Sequence, residues 1–268
     1  MSLLTVYSGT DPLVYDHQLG PVLFEPFAAD LAKRADSGDM NSVLELACGT
    51  GILTARLLEK LPPQGRLVAT DINPGMMERA KAKLSDNRLS FQLADAGELP
   101  FSSESFSQVI CQFGFMFLSN KPQAFMEACR VLKPGGRLLF NTWDGPGHNP
   151  RTSFLRFVLE ECLGEAAPDL LHKGPYSFFD RDQIRQSLTQ AGLCRIHVEP
   201  VVKKVAYTNL AEFSKALIDG SPLKGLLKGL AAQDLLAVRQ KVFKALQNQE
   251  AEYGQLVPMQ ALVCEGYK

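Results

Sequence analysis

Glu45, Gly49 and Gly51 stand close together in the run VLELACGTG (43–51), Asp71 follows about 20 residues later, and Asp95 ends a further apolar run. Each residue type has a plain chemical use. A glycine pair after a strand lets the backbone approach a ligand closely, and an acid at the end of the next strand accepts hydrogen bonds from ribose hydroxyls. For the glycines alone, a simple strand-to-helix turn is the alternative reading.

Two details separate the ligand from a dinucleotide. The dinucleotide fingerprint needs glycine or alanine where this chain has Thr54, and a pyrophosphate would meet the negative charge of Glu45. The ligand should therefore carry positive charge beside Glu45, a ribose at Asp71 and an adenine whose amino group Asp95 can accept from. S-adenosylmethionine has all of these groups, and a nicotinamide-dependent reductase is the alternative.

These residues need a scaffold that brings strand ends together. Strand-like runs at 43–46, 66–71, 89–95, 108–112 and 136–143 alternate with helical segments at 52–61 and 74–84, the rhythm of parallel βαβ units. Leu61-Pro62-Pro63 ends the first helix, Asn73-Pro74 opens the second with a cap and a first-turn proline, and Lys133-Pro134-Gly135-Gly136 turns into the fifth strand. Beyond Trp143 the pattern predicts helices at 151–163 and 181–191, a strand at 194–198, a helical tract at 210–249 and a last strand at 257–264.

A chain of 268 residues, 46% hydrophobic, can bury the core of one sizeable α/β domain. Its formal net charge of -1 gives no overall attraction to nucleic acid or to an anionic membrane. The six cysteines, Cys48, Cys111, Cys129, Cys162, Cys194 and Cys264, form no C-x-x-C pair, which suits reduced thiols in a cytoplasmic setting. No leader pattern and no membrane-spanning run is evident, and no clustered ligand set predicts a metal.

Five pieces in order, VLELACGTG, VATDINPGMM (68–77), LADAGELPF (93–101), VICQFGFMFL (109–118) and EACRVLKPGGRLLFNTW (127–143), resemble the class I S-adenosylmethionine-dependent methyltransferases. The likeness spans Tyr15 to Trp143 and is closest to the small-molecule branch that includes the ubiquinone/menaquinone methyltransferases. It implies an α/β, Rossmann-like, seven-stranded, mostly parallel sheet whose last strand is antiparallel and inserts beside the fifth, with helical lid insertions. Ala47 stands where the family most often has its first glycine. The implied cofactor contacts are Tyr15 in the covering N-terminal segment, Glu45 at the methionine ammonium, and the backbone of Ala47, Cys48 and Gly49 along the methionine half. Asp71 would hold the ribose, Ile72 and Met76 would sandwich the adenine, Asp95 and the Ala96 N–H would read its edge, and Gln112 would offer a carbonyl. The N/D-P-P-Y/F run of the family's nucleic-acid amino-methyltransferases is absent, with CQFGF after the fourth strand.

In-line transfer of a sulfonium methyl needs mainly a held nucleophile, and a base adds to it when the acceptor is a hydroxyl of high pKa. Of the four histidines, His148 after the fifth strand and His17 in the N-terminal segment are the candidate bases, with a surface histidine the alternative for each. His172 has no assigned place, and His197 is expected on an exposed strand. Tyr15, Phe24, Phe113, Phe115, Phe117 and Trp143 fall near the expected mouth of the site, and Phe24, Phe115 and Trp143 are the candidate acceptor contacts.

The expected organisation is one methyltransferase domain over 1–268, with N-terminal cap helices in 1–40, a cofactor-binding core in 41–143, and lid insertions at 145–180 and 208–250. Residues 201–250 carry eight basic and four acidic side chains, read as a solvated helical face. The function expected is methyl transfer to the oxygen or carbon of a small apolar or aromatic acceptor. Methylation of a protein or RNA, and a cofactor-binding regulator without turnover, stand as alternatives.

Overall fold

The run Ser42–Leu46 forms β1 at the centre of a sheet, with Val43, Leu44 and Leu46 all buried. Glu45 is buried with them, so successive residues are covered on both faces, as in a strand of a parallel sheet. The computed structural model describes residues 10–167, 169 and 174–268, so His172 lies outside the described residues.

The other strands are β2 (Arg66–Asp71), β3 (Leu89–Leu93), β4 (Phe106–Gln112), β5 (Leu132–Trp143), β6 (Cys194–Val205) and β7 (Val257–Tyr267). The described residues form one seven-stranded sheet in the order β3-β2-β1-β4-β5-β7-β6. β7 is antiparallel to both neighbours, pairing Trp143 with Ala261 on one side and Val201 with Ala261 on the other. The last strand thus inserts beside the fifth, as the sequence predicts. β3 stops at Leu93, short of the expected end, and β6 runs to Val205, well past it.

Alternation along the strands feeds two cores. Val43, Leu67, Ile110 and Leu139 face α1 (Glu25–Ala35) and α2 (Ile52–Lys60), whose Leu31, Leu53 and Leu57 complete that side. Leu44, Val109, Leu138 and Phe140 face the other way, toward Phe125 of α4 (Lys121–Val131) and Ile184 and Leu188 of α6 (Arg181–Gln190). Fully burying one such side chain contributes about 1.5–3 kcal/mol. α3 (Pro74–Lys83) opens at Asn73, whose side chain accepts the N–H groups of Gly75 and Met76.

Ahead of α1, a wide π-helical strap, Tyr15–Phe24, crosses the carboxyl end of the sheet. The sequence pattern gives no sign of this geometry. After β5 comes α5 (Pro150–Leu163), and between β6 and β7 come α7 (Leu210–Asp219), the single turn α8 (Leu223–Leu226) and α9 (Ala232–Tyr253). The tract 210–249 is therefore three helices, broken at Gly220 and again around Gly229. α9 packs on α5 and α7, and α7 packs on the strap. Among the described residues no helix is long and apolar enough to cross a membrane.

Candidate active site

β1 ends in a turn that leaves its backbone bare. Ala47, Gly49 and Gly51 all have positive φ, at 53°, 56° and 83°. A Cβ placed on Gly51 would lie 2.9 Å from Leu84 Cδ1 and 3.1 Å from Ala80 Cβ, so glycine there lets α3 pack close. A Cβ on Gly49 would meet nothing within 4 Å and would project into open space. Ala47 pays a steric penalty of about 1–2 kcal/mol for its left-handed backbone, as does Phe113 at φ 51° after β4. The Phe113 N–H is held by the buried Asn141 side chain at 2.9 Å. Strain of this kind concentrates at working sites.

The turn and the ends of β2 and β4 enclose a cleft of about 810 Å³, lined by Tyr15, Ala47, Gly49, Asp71, Ile72, Met76, Asp95, Ala96 and Gln112. Asp71 is buried there, with Oδ2 accepting from the Gly49 N–H at 2.7 Å and Oδ1 from the Asn73 N–H at 2.8 Å. Each oxygen keeps a lone pair, enough for two ribose hydroxyls. Burial pushes the Asp71 carboxyl above its ordinary pKa, against the lowering effect of those amides. Ile72, Met76, Ala94, Ala96, Phe117 and Leu118 form apolar walls beyond it. Asp95 is exposed at that end, and its Oδ1 accepts from the Gly97 N–H at 2.8 Å.

Glu45 and Cys48 line a smaller adjoining chamber, together with Tyr15, Phe24, Gly49 and Gln112. Glu45 is 1% exposed and its Oε2 has no hydrogen-bond partner. Burial, with a smaller push from the charge of Asp71, raises its pKa to about 8. Gln112 Nε2 donates to the Phe24 carbonyl at 3.0 Å, which leaves its buried Oε1 unpartnered as well. Two buried oxygens without partners line one chamber, and each unsatisfied group costs about 1–3 kcal/mol until a hydrogen-bond donor meets it. An ammonium would supply such donors, whereas a phosphate would bring further negative charge beside Glu45.

A third cavity, of about 870 Å³, lies beyond Tyr15, Phe113 and Phe117, which border both it and the cofactor-sized cleft. Its walls include Phe24, Trp143, Tyr176 and Leu226. Trp143 stacks on Phe113 with ring centroids 4.1 Å apart, and Tyr15 stacks on Phe24 at 4.8 Å. Thr152 and Tyr176 share a hydroxyl–hydroxyl hydrogen bond on its wall. Among the described residues that line it there is no Asp, Glu, His, Lys, Arg or Cys.

Not every candidate from the sequence sits here. Phe115 is fully buried against Phe125 and Phe140 under α4 and borders neither cavity, because the turn after β4 points it into the core. His148 is exposed on the turn after β5, His17 is exposed and bonded to Arg79, and neither lines a described cavity. Asn141 falls within the run 127–143 without any role expected of it there, and Thr152 and Tyr176 lie outside every quoted motif. Their part depends on partners distant in the chain, so no local signal marks them. Among the described residues no group of three or more His, Cys, Asp or Glu side chains could hold a metal ion.

Comparison with known proteins points to a family. Residues 43–136 match the family described as "Methyltransferase domain". The chain is 32% identical over 186 residues to the ubiquinone/menaquinone biosynthesis C-methyltransferase UbiE of Shewanella sp. (strain W3-18-1), covering 66% of this chain and 72% of that protein. It is 31% identical over 182 residues to UbiE of Proteus mirabilis (strain HI4320), with the same coverage. Among solved structures, the phosphoethanolamine N-methyltransferase 2 of Haemonchus contortus in complex with S-adenosyl-L-methionine superposes with a TM-score of 0.63 at 16% identity, over 100% of this chain and 60% of that one. The cyclase SpnF superposes with a TM-score of 0.57 at 18% identity, over 98% and 93% of the two chains. These structural likenesses are likenesses of fold, and a fold by itself does not define a reaction.

Proposed function

The chain belongs to the S-adenosylmethionine-dependent methyltransferases related to UbiE, and from that premise we propose that it methylates a carbon or oxygen of a small apolar or aromatic acceptor held in the aromatic cavity. The observation that carries the acceptor class is the shared wall: Tyr15, Phe113 and Phe117 border both the polar-ended cleft and the aromatic cavity. A donor in one and an acceptor in the other would meet at that wall.

S-adenosylmethionine, when bound, supplies an electrophilic methyl group. The protein's residues do the rest. Glu45 and the Gln112 side chain hold the ammonium, Asp71 holds the ribose, Ile72 and Met76 take the adenine between them, and Asp95 with the Ala96 N–H reads its edge. In this arrangement Gln112 acts through its side-chain oxygen, in addition to the backbone carbonyl expected from sequence. The aromatic walls exclude water and restrict the acceptor to orientations near in-line attack, an effect that can lower a barrier by about 7–11 kcal/mol.

With no ionisable side chain other than tyrosine in the described lining, the cavity favours an acceptor that brings its own nucleophilicity, such as an electron-rich ring carbon or a phenolate. UbiE is a C-methyltransferase by name, and an activated ring carbon is the kind of acceptor this cavity suits. We assign the described parts of 145–180, without 168 and 170–173, which lie outside the described residues, together with 208–250, as the lid, because Thr152, Tyr176, Leu217, Leu223 and Leu226 all line the cavity. Incubating the protein with cell metabolites and a deuterium-labelled methyl donor, followed by mass spectrometry, tests the function. A small molecule heavier by a labelled methyl group supports it, and label found only on protein or RNA overturns it.

A further inference from the structure

Asp16 joins the π-helical strap to the turn after β1 and to α3. Its side chain is 6% exposed. Oδ1 accepts from the Thr50 hydroxyl at 2.8 Å and from Lys83 Nζ, and Oδ2 accepts from Arg79 Nε at 3.0 Å. Burial alone would push this carboxyl up, but the hydrogen bonds from Lys83 and Thr50 outweigh it and hold it below the usual carboxylate range. Thr50 directly follows Gly49, whose N–H is bound by Asp71.

The strap is fastened at its other edge to the helices over the acceptor cavity. The Asp11 N–H donates to the Asp219 carbonyl at 3.2 Å. Gly220 is packed so close that a Cβ there would lie 3.0 Å from Val14 Cγ1 and 3.1 Å from the Tyr15 nitrogen. The Asp219 carboxylate in turn pairs with Arg239 of α9 at 2.6 Å. Tyr15 therefore lies between an anchor on the cofactor turn and an anchor on the acceptor lid, with its ring bordering both chambers.

We infer that Asp16 is a positioning residue that ties cofactor occupancy to the shape of the acceptor cavity through Tyr15. This rests on the methyltransferase reading above. A donor seated on Gly49 and Asp71 steadies Thr50, Thr50 with Arg79 and Lys83 steadies Asp16, and Asp16 fixes the ring of the adjacent Tyr15 where the chambers meet. One consequence follows: the donor leaves slowly while Asp16 is bonded.

The test uses the full chain, Asp16→Asn, and the reciprocal variant Arg79→Met/Lys83→Met, which removes the cations and leaves Asp16 in place. Trp143 is the one tryptophan of the sequence and lines the acceptor cavity, so its emission reports on that cavity when S-adenosylmethionine is added. We expect the wild type to bind the cofactor with a change in Trp143 emission. Both variants should melt as folded proteins, lose most of that change, and release the cofactor about 10-fold faster or more, the loss expected for hydrogen bonds to a charged, largely buried group. Asp16→Glu should recover part of the slow release, which a merely structural role would not require. Wild type that binds no cofactor overturns the methyltransferase reading itself. Wild type that binds, with release and Trp143 response unchanged in folded variants, overturns the role of Asp16 alone. If Asp16→Asn fails to fold, the double variant decides by the same criteria.

Discussion

The Asp71 carboxylate accepts the backbone N–H of Gly49 at 2.7 Å, so the end of β2 grips the turn that follows β1. The same carboxylate, with its remaining lone pairs, faces the cleft. One side chain thus shapes the backbone of the site and offers itself to the ligand.

Replacing that carboxylate should affect both roles. For Asp71→Ala we expect the affinity for S-adenosylmethionine and for its demethylated product to fall by about 10-fold to 150-fold, equivalent to roughly 1.5–3 kcal/mol. Calorimetric titration of the two ligands checks this, and unchanged affinity would remove Asp71 from the ribose site.

Glu45 makes the binding pH-dependent. Its pKa rises from 4.5 to about 8 in the folded, ligand-free protein. Stability that depends on the protonated form is fully present below pH 4.5 and is lost as pH rises toward 8. Cofactor binding runs the opposite way, because an ammonium favours the carboxylate and expels the proton. Affinity should increase by up to about tenfold per pH unit between pH 6 and 8. Glu45→Gln should flatten this dependence and abolish proton release, measured by calorimetry in buffers of different ionisation enthalpy. A wild-type affinity independent of pH would contradict the assignment.

Gly49 and Gly51 should respond differently to alanine. Gly51→Ala meets both a positive φ and the Leu84 and Ala80 side chains, so we expect a loss of about 1–3 kcal/mol in stability. Gly49→Ala has open space around its Cβ and should melt within about 1–2 kcal/mol of wild type. It should still bind the cofactor at least about 10-fold more weakly, a loss of about 1.4 kcal/mol, since the methyl group occupies the ligand's side of the turn. Thermal melts paired with cofactor titrations separate the two, and equal behaviour would show that Gly49 faces no ligand.

Leu226, 37% exposed, lines the aromatic cavity far from the Asp71 carboxylate in sequence. Leu226→Arg should leave cofactor affinity within about twofold of wild type and raise KM for an apolar acceptor about 10-fold, since a guanidinium would demand water at an apolar wall. Steady-state kinetics on the acceptor identified by mass spectrometry decides the matter. An unchanged KM would place the acceptor elsewhere.

Much of the donor-side architecture is local in the chain, and so it was legible in the sequence. A strand that runs into glycines, an acid at the end of the next strand and a proline-opened helix are each encoded by neighbouring residues. The insertion of β7 beside β5 was legible only through resemblance, since pairing partners such as Arg137 and Tyr267 have no local signature. Composition also limited the reading, because an aromatic residue after a strand can face either a cavity or the core. Phe113 and Phe115 show the difference: they are two residues apart, yet Phe113 lines both chambers while Phe115 stacks on Phe125 inside the core.

What the sequence by itself determined was the succession of the seven strands, and its residue types pointed to a nucleoside with a cationic group as the ligand. Only the tertiary structure decided which polar atoms are left without partners in that site, as with Glu45 Oε2 and Gln112 Oε1. It alone turned His17 and His148 away from the described cavities and set Asp16 against Thr50 and Lys83, 34 and 67 residues along the chain. The physical reason is that hydrogen-bonded turns and amphipathic periodicity arise from near neighbours. Burial and the pairing of charges depend on which distant segments the packing of the core brings together.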